Sequence, residues 1–207
     1  MTMPTAPVYC ALSQLKAQLG VPATDERQDE TLEGIIEAVS RLIDAECKTQ
    51  FAAVTETLYY TARCGRELLV DDILEITSLE TDPAGDGTYA TTWDQADYVL
   101  APYNAQTGIQ PRPYWRIETA VAGRYRFPVA VPRGVRMSVR RGFCELAALP
   151  QGIEAVCLRE SLFQAQANVT PYGMTAGDGS GPAAPTTVSL SNYSKLMLAQ
   201  FKHIVVA

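Results

Sequence analysis

The residues able to do chemistry in this 207-residue sequence are few and dispersed. Nucleophilic catalysis by serine or cysteine needs a base within hydrogen-bond reach. The sole histidine, His203, stands among apolar residues near the C-terminus, where a surface or interface role is expected. Cys10, Cys47, Cys64, Cys144 and Cys157 are scattered, with no C-x-x-C pair. Their odd number and wide spacing fit free thiols in a reducing compartment better than a disulfide framework. With one histidine and no paired cysteines, no zinc ligand set is expected either. Asp71, Asp72 and Glu75 are a conceivable metal or acid–base cluster. Adjacent strand residues point to opposite faces, so a solvated turn at a strand end is the better expectation. Gly177-Asp178-Gly179-Ser180-Gly181 has loop composition, and neither a phosphate loop nor a dinucleotide fingerprint occurs. No catalytic residue, metal or cofactor is assigned, and the chain is not expected to be an enzyme.

Charge is more informative than chemistry. The formal net charge is −6, but from Thr24 to Asp97 there are 18 acids against 5 bases. From Arg112 to Arg141 the balance reverses: Arg112, Arg116, Arg124, Arg126, Arg133, Arg136, Arg140 and Arg141 face the single acid Glu118. Such segregation fits a dipolar subunit meeting different partners, or its own neighbour, through opposite faces. Equally, folding can intermix the two segments. The arginine segment lacks the interleaved exposed aromatics of single-strand binders, and an acidic chain is a poor DNA binder. A channel lining or an inter-subunit salt-bridge seam suits it better.

The elements that must position these residues follow from periodicity. Hydrophobic residues make up 47% and charged residues 19%, a globular balance. No apolar run approaches a membrane span, and the N-terminus has neither the basic nor the long apolar region of a signal peptide. Leu12, Leu15 and Leu19 predict a short helix over Ala11–Leu19, ended by Gly20 and Pro22. Leu32, Ile35, Ile36, Val39, Leu42 and Ile43 predict a second, with Asp25 or Asp29 as its cap. Strands are predicted at Thr55–Thr61, Arg66–Val70, Ile73–Thr81, Thr88–Trp93, Tyr98–Leu100, Trp115–Val121 and Val135–Phe143. Asp82–Gly87 is a turn, and the prolines at 102, 111, 113, 128 and 132 forbid a long helix between strands. After Pro150, Ile153, Val156, Cys157 and Glu160 share one side of a helix and Leu158 and Leu162 a neighbouring one, predicting burial over much of its surface. Residues 170–190 gather Gly, Pro, Thr and Ser as a flexible linker or exposed loop. Ser191 or Asn192 caps a last helix with Tyr193, Leu196, Met197, Gln200, Phe201 and Ile204 on one face.

The expected fold is α+β. Two N-terminal helices (1–53) and the helix after Pro150 (146–169) make a small bundle. An antiparallel β subdomain (54–145) is inserted in it, and a linker (170–190) leads to a C-terminal helical arm (191–207).

This order of elements resembles the head–tail connector (adaptor, or head-completion) proteins of tailed bacteriophages. Tyr9–Gly20 looks like that family's first helix, and Asp29–Asp44, acidic at its start and closing on an "IxxASxxID"-like run, like its second. Tyr59-Tyr60 followed by Leu68–Leu79 is similar to the strand region that follows. Asp97–Asn104 matches a "DYxLxPxN" habit, and Pro150–Leu158 a "PxxIkqAvl" one. The resemblance covers most of residues 9–168. Departures are Val139-Arg140-Arg141-Gly142-Phe143 in place of a Gly-aromatic motif, and the long 170–190 segment.

The resemblance implies a virion protein of the phage neck, made in the host cytoplasm. It implies a homo-oligomeric ring, commonly of twelve, under the portal protein. The ring offers a platform to a stopper or tail-completion protein and lets double-stranded DNA pass without sequence-specific binding; no membrane is involved. The C-terminal segment, with Tyr193, Leu196, Met197, Gln200, Phe201 and Ile204, is then an arm gripping the portal by helix-in-groove docking; the alternative is that it packs on its own core. Other expectations left open are a tail-completion or tail-terminator protein, and a small soluble ligand-binding or enzymatic domain.

Overall fold

The structure, a computed structural model, describes residues 7–107, 111–169 and 190–201. Among these, the elements are α1 (Leu12–Leu19), α2 (Asp29–Cys47), β1 (Val54–Tyr60), β2 (Glu67–Thr81), β3 (Thr91–Thr92), β4 (Tyr98–Ala101), β5 (Tyr114–Thr119), β6 (Val135–Arg141), α3 (Gln151–Val169) and α4 (Asn192–Leu198). The fold is α+β, with helices at both ends and a six-stranded antiparallel sheet between them in the chain. The chain divides into a helical unit, discontinuous in sequence, and a β unit spanning Gln50–Ala148.

In the helical unit, α1 stops at Gly20, whose φ of 70° lets Val21 N–H reach back to Lys16 O at 3.0 Å. Lys16 is buried yet charged, and its Nζ lies 2.5 Å from Asp29 Oδ1. The expected cap of α2 is corrected here. Asp29 is the first helical residue rather than the cap, and its carboxylate is used by Lys16. Asp25 instead holds the Arg27 side chain, and that guanidinium keeps the Asp25 carboxyl far below the usual carboxylate range. The stripe of α2 is buried as its spacing requires, from Leu32 through Ile43 to Cys47, although Leu42 is only half-buried. On α3 the buried positions are Ile153, Val156, Cys157, Glu160, Ser161 and Ala165. Burial over much of that helix does not occur: Leu158 and Leu162 are half-buried, and Phe163, one turn past Arg159, is 62% exposed.

In the β unit the strand order is β1-β6-β2-β5-β4, with β3 added to the end of β2. The two strands expected at 66–70 and 73–81 are one long strand, β2, which pairs with β5 through its first half and with β6 from Ile73 onward. Asp71 and Asp72 do not end it, because register shifts between Leu69 and Ile73 absorb them as an irregularity within the strand. The strand expected at 88–93 shrinks to Thr91–Thr92, since Asp82 binds the amides of Gly85 and Gly87 and widens the turn before it. Leu68, Ile73, Leu79, Ile117, Val135, Met137 and Val139 from the sheet meet Trp93 and Phe127 in one core. Trp93 stacks on Phe127 at 4.7 Å and donates from Nε1 to Thr81 Oγ1 at 3.1 Å, so its polar edge is satisfied where it is buried. No helix among the described residues is long and apolar enough to cross a membrane.

Candidate assembly surfaces

Apart from Cys10 and Cys157, whose sulphurs lie 3.3 Å apart, the candidate reactive groups do not converge among the described residues. His203 lies outside the described residues. Among those described, no three His, Cys, Asp or Glu side chains are gathered to hold a metal ion. Asp71 and Asp72 lie within β2 and not in a turn, which corrects the expectation of a solvated strand end. Asp71 is exposed and accepts from Tyr60 Oη at 3.2 Å, while Asp72 is 9% exposed. Burial and the Asp71 charge push the Tyr60 hydroxyl well above its ordinary range. An open groove of about 700 Å³ runs over Glu75, Thr77, Tyr98, Leu100, Tyr103 and Tyr114, with no nucleophile–base pair among its lining residues.

The eight arginines are spread over β5, β6 and the loops between them, and most are paired locally. Arg136 lies 2.5 Å from Glu80, Arg141 3.0 Å from Glu56, Arg124 3.3 Å from Asp94, and Arg116 2.7 Å from Glu118 with Glu67 at 3.9 Å. Four of these arginines therefore reach acids of the Thr24–Asp97 segment. Of the two ways to accommodate the charge segregation, intermixing is the one seen within the β unit. β6 is sandwiched between β1 and β2, so the register itself sets Arg136 opposite Glu80. Arg140 pairs with Glu145, and Arg126 binds the backbone carbonyls of Gly123 and Tyr125. Arg112 is exposed, and its amide donates to Ala105 O at 2.7 Å.

The expectation that this segment lacks interleaved exposed aromatics needs correction, since Trp115 is 37% exposed with Arg116 over its ring at 5.2 Å, and folding adds two tyrosines. Arg133 lies over Tyr59 at 4.2 Å and Arg136 over Tyr89 at 4.3 Å, and the two tyrosine rings are 6.0 Å apart. The tyrosines come from β1 and the loop before β3, so no linear scan of residues 112–141 could find them.

On α4, Ser191 is the cap, accepting from Ser194 N at 3.3 Å. The inward residues are Leu190, Ser194, Leu198 and Phe201. The outward ones are Tyr193 at 52% exposure, Leu196 at 74% and Gln200, with Met197 half-buried between. The proposed stripe is thus divided: Phe201 turns inward, and Ile204 lies outside the described residues. The cause is local. The α-helix ends at Leu198 and tightens into a 3₁₀ turn over Ala199–Phe201, in which positions three apart eclipse. Phe201 therefore follows Leu198 into the core instead of Met197 outward. Glu160 is buried on the side of α3 where its spacing put it, at 2% exposure, and it accepts the hydroxyls of Ser191 and Ser194, partners the spacing does not reveal. Arg159 covers the Tyr193 ring at 4.3 Å, and Phe163 adds a further exposed ring on α3. Exposed apolar groups on the helical unit thus include Phe163, Tyr193 and Leu196.

No protein-family model matches the sequence, and no curated protein matches it. Solved structures do. A chain in the neck of an empty gene transfer agent particle, computed with C6 symmetry, superposes with a TM-score of 0.60 at 18% identity, covering 100% of this chain and 96% of its own. A chain in the virion of a native gene transfer agent particle gives the same TM-score and identity, covering 100% and 95%. What is shared is the fold, from end to end of both chains.

Proposed function

We propose that this chain is a non-enzymatic structural subunit of a phage-type neck, a head–tail connector that assembles as a ring between the portal and the tail-side stopper or completion protein. The observation that carries it is the end-to-end likeness to a neck chain, which covers 100% of this chain and 96% of that one. A six-fold operator in that neighbour's neck is compatible with a ring of twelve, which is two six-fold sets. The ring continues the DNA channel, and its arginines, largely neutralised by carboxylates of the same subunit, let the duplex slide without gripping it.

Portal contact falls to the exposed face of the last helix, Tyr193, Leu196, Met197 and Gln200, with Ile204 beyond it, while Phe201 anchors that helix to its own subunit. The test is co-expression with the portal protein encoded nearby, followed by electron microscopy of the purified material. A portal ring with a second tier of matching symmetry is expected. Portal rings beside unbound monomer would overturn the proposal.

A further inference from the structure

Cys10 and Cys157 are 147 residues apart in the chain, yet their sulphurs lie 3.3 Å from each other in the helical unit. Cys10 belongs to the segment that leads into α1, and Cys157 to the middle of α3. Both thiols are free, at 5% and 0% exposure. The surroundings fix both partners. Tyr9 N–H donates to Ser40 Oγ at 3.1 Å, the Tyr9 hydroxyl bonds Asp44, and Arg41 donates to Pro7 O at 2.5 Å. The segment just before Cys10 is therefore pinned to α2, which packs on α3, so the position of Cys10 is set by named bonds.

The polar groups around the sulphurs are equally specific. Ser40 Oγ donates to Ile36 O at 2.7 Å and lies 3.6 Å from Cys157 Sγ. Ser161, one turn along α3, is fully buried, and its hydroxyl has no hydrogen-bond partner among the described residues. The contact with Cys10 is the leading influence holding the Cys157 thiol below its ordinary range against the cost of burial. The same contact, with burial, pushes the Cys10 thiol far above its ordinary range. The 3.3 Å separation puts either sulphur within reach of the other once one of them has been oxidised.

We propose that Cys10 and Cys157 are an oxidation site that closes into an intramolecular disulfide when the folded chain meets a small peroxide. The chemistry balances with hydrogen peroxide as the oxidant. The Cys157 thiolate attacks one peroxide oxygen, the O–O bond breaks, hydroxide leaves and takes a proton, and Cys157 becomes a sulfenic acid. Cys10 then loses its proton and attacks Cys157 Sγ, displacing the sulfenic hydroxyl as water. Two thiols and one peroxide give one disulfide and two waters. The sulphurs have to approach by roughly 1.3 Å to reach bonding distance, a motion available to the short segment before α1. The bond ties that segment to α3 and closes a loop that contains the whole β unit.

The inference does not rest on the neck proposal, because it concerns the isolated subunit. The experiment uses the full chain, reduced, desalted and exposed to increasing hydrogen peroxide, then alkylated and mapped by mass spectrometry without reduction. A Cys10–Cys157 linked peptide with a loss of two hydrogens is expected, accompanied by a rise in Tm on the order of 5–10 °C that dithiothreitol reverses. Cys64 is exposed and serves as the internal comparison; a Cys64→Ser background removes its intermolecular products. In that background, Cys10→Ser is expected to leave Cys157 as a sulfenic acid that dimedone labels. Recovery of Cys10 and Cys157 as free thiols, or their linkage to other cysteines, from protein that still melts cooperatively would overturn the proposal.

Discussion

Glu160 Oε1 accepts the hydroxyl proton of Ser194, and both side chains are buried, at 2% and 0% exposure. This bond, with the second from Ser191, is the polar link between α3 and the start of α4. Glu160→Ala leaves the buried Ser194 hydroxyl and the half-buried Ser191 hydroxyl without this acceptor, and a stability loss of about 1–3 kcal/mol is expected. Urea unfolding measures it. Hydrogen exchange should show the protection of residues 190–201 falling before that of α2, and uniform loss across the helical unit would contradict a local latch.

Gly142 carries the strain of the β6 exit. Its φ is 147°, and a Cβ there would lie 2.7 Å from Ala53 Cα, where Phe143 and Cys144 donate back to Phe51 O. Gly142→Ala should cost about 2–4 kcal/mol because both the dihedral and the backbone approach forbid it. Gly20→Ala, at φ 70° with nothing within 4 Å of the added carbon, should cost only about 1 kcal/mol. Equal losses in chemical denaturation would refute the close-approach argument.

Asp97 gives the β unit an acid limb. Its carboxylate accepts from Arg124 N at 3.0 Å and Asp94 N at 3.1 Å, and the Arg124 amide, with lesser help from Asp94 and the guanidinium, lowers its pKa despite burial. A folded pKa below the unfolded value of 3.8 makes the contribution complete above that value. It is lost as pH falls through the folded pKa. The Tm difference between wild type and Asp97→Asn should therefore be constant from about pH 5 upward and shrink below about pH 4. A difference that grows on acidification would reverse the sign and reject the assignment.

The outward and inward residues of α4 should separate cleanly. Tyr193→Ser with Leu196→Ser should change stability by less than about 1 kcal/mol, since both are largely exposed, yet abolish recovery of the portal protein on the tagged chain. Leu198→Ala, at 0% exposure, should cost about 2–4 kcal/mol. Portal recovery undiminished by the double substitution would move the contact elsewhere. Whole deletion of residues 191–207 is a poorer test, because it also removes Ser194, Leu198 and Phe201 from the core.

Much of the fold was legible because period and burial coincide. Leu32 to Ile43 at 3.6-residue spacing and the alternation of Val135, Met137 and Val139 each leave one face to cover. What failed to show was set by contacts distant in sequence. Asp71 and Asp72 read as a strand end locally, but pairing with β5 and β6 on either side carries β2 through them. The neutralisation of Arg136 and Arg141 depends on β6 lying between β1 and β2, which no count of charges along the chain contains. Phe201 changed faces because the helix tightened after Leu198, a boundary effect of a few residues. The Cys10–Cys157 contact, like the Tyr59–Tyr89 pair beside Arg133 and Arg136, exists only once the chain has folded.

The helical unit is split in the chain by the whole of the β unit, and this fixes an order of events on the ribosome. α1 and α2 emerge first, but the partner that covers the α2 stripe, α3, is translated only after about a hundred further residues. At roughly 5–20 residues per second that leaves Ile35, Ile36 and Val39 uncovered for about 5–20 s, while the β unit, whose pairings are all internal, can already close. Through that interval the acids Glu30, Glu33 and Glu37, exposed on the other side of α2, give the uncovered helix a negative charge that opposes its association with copies of itself.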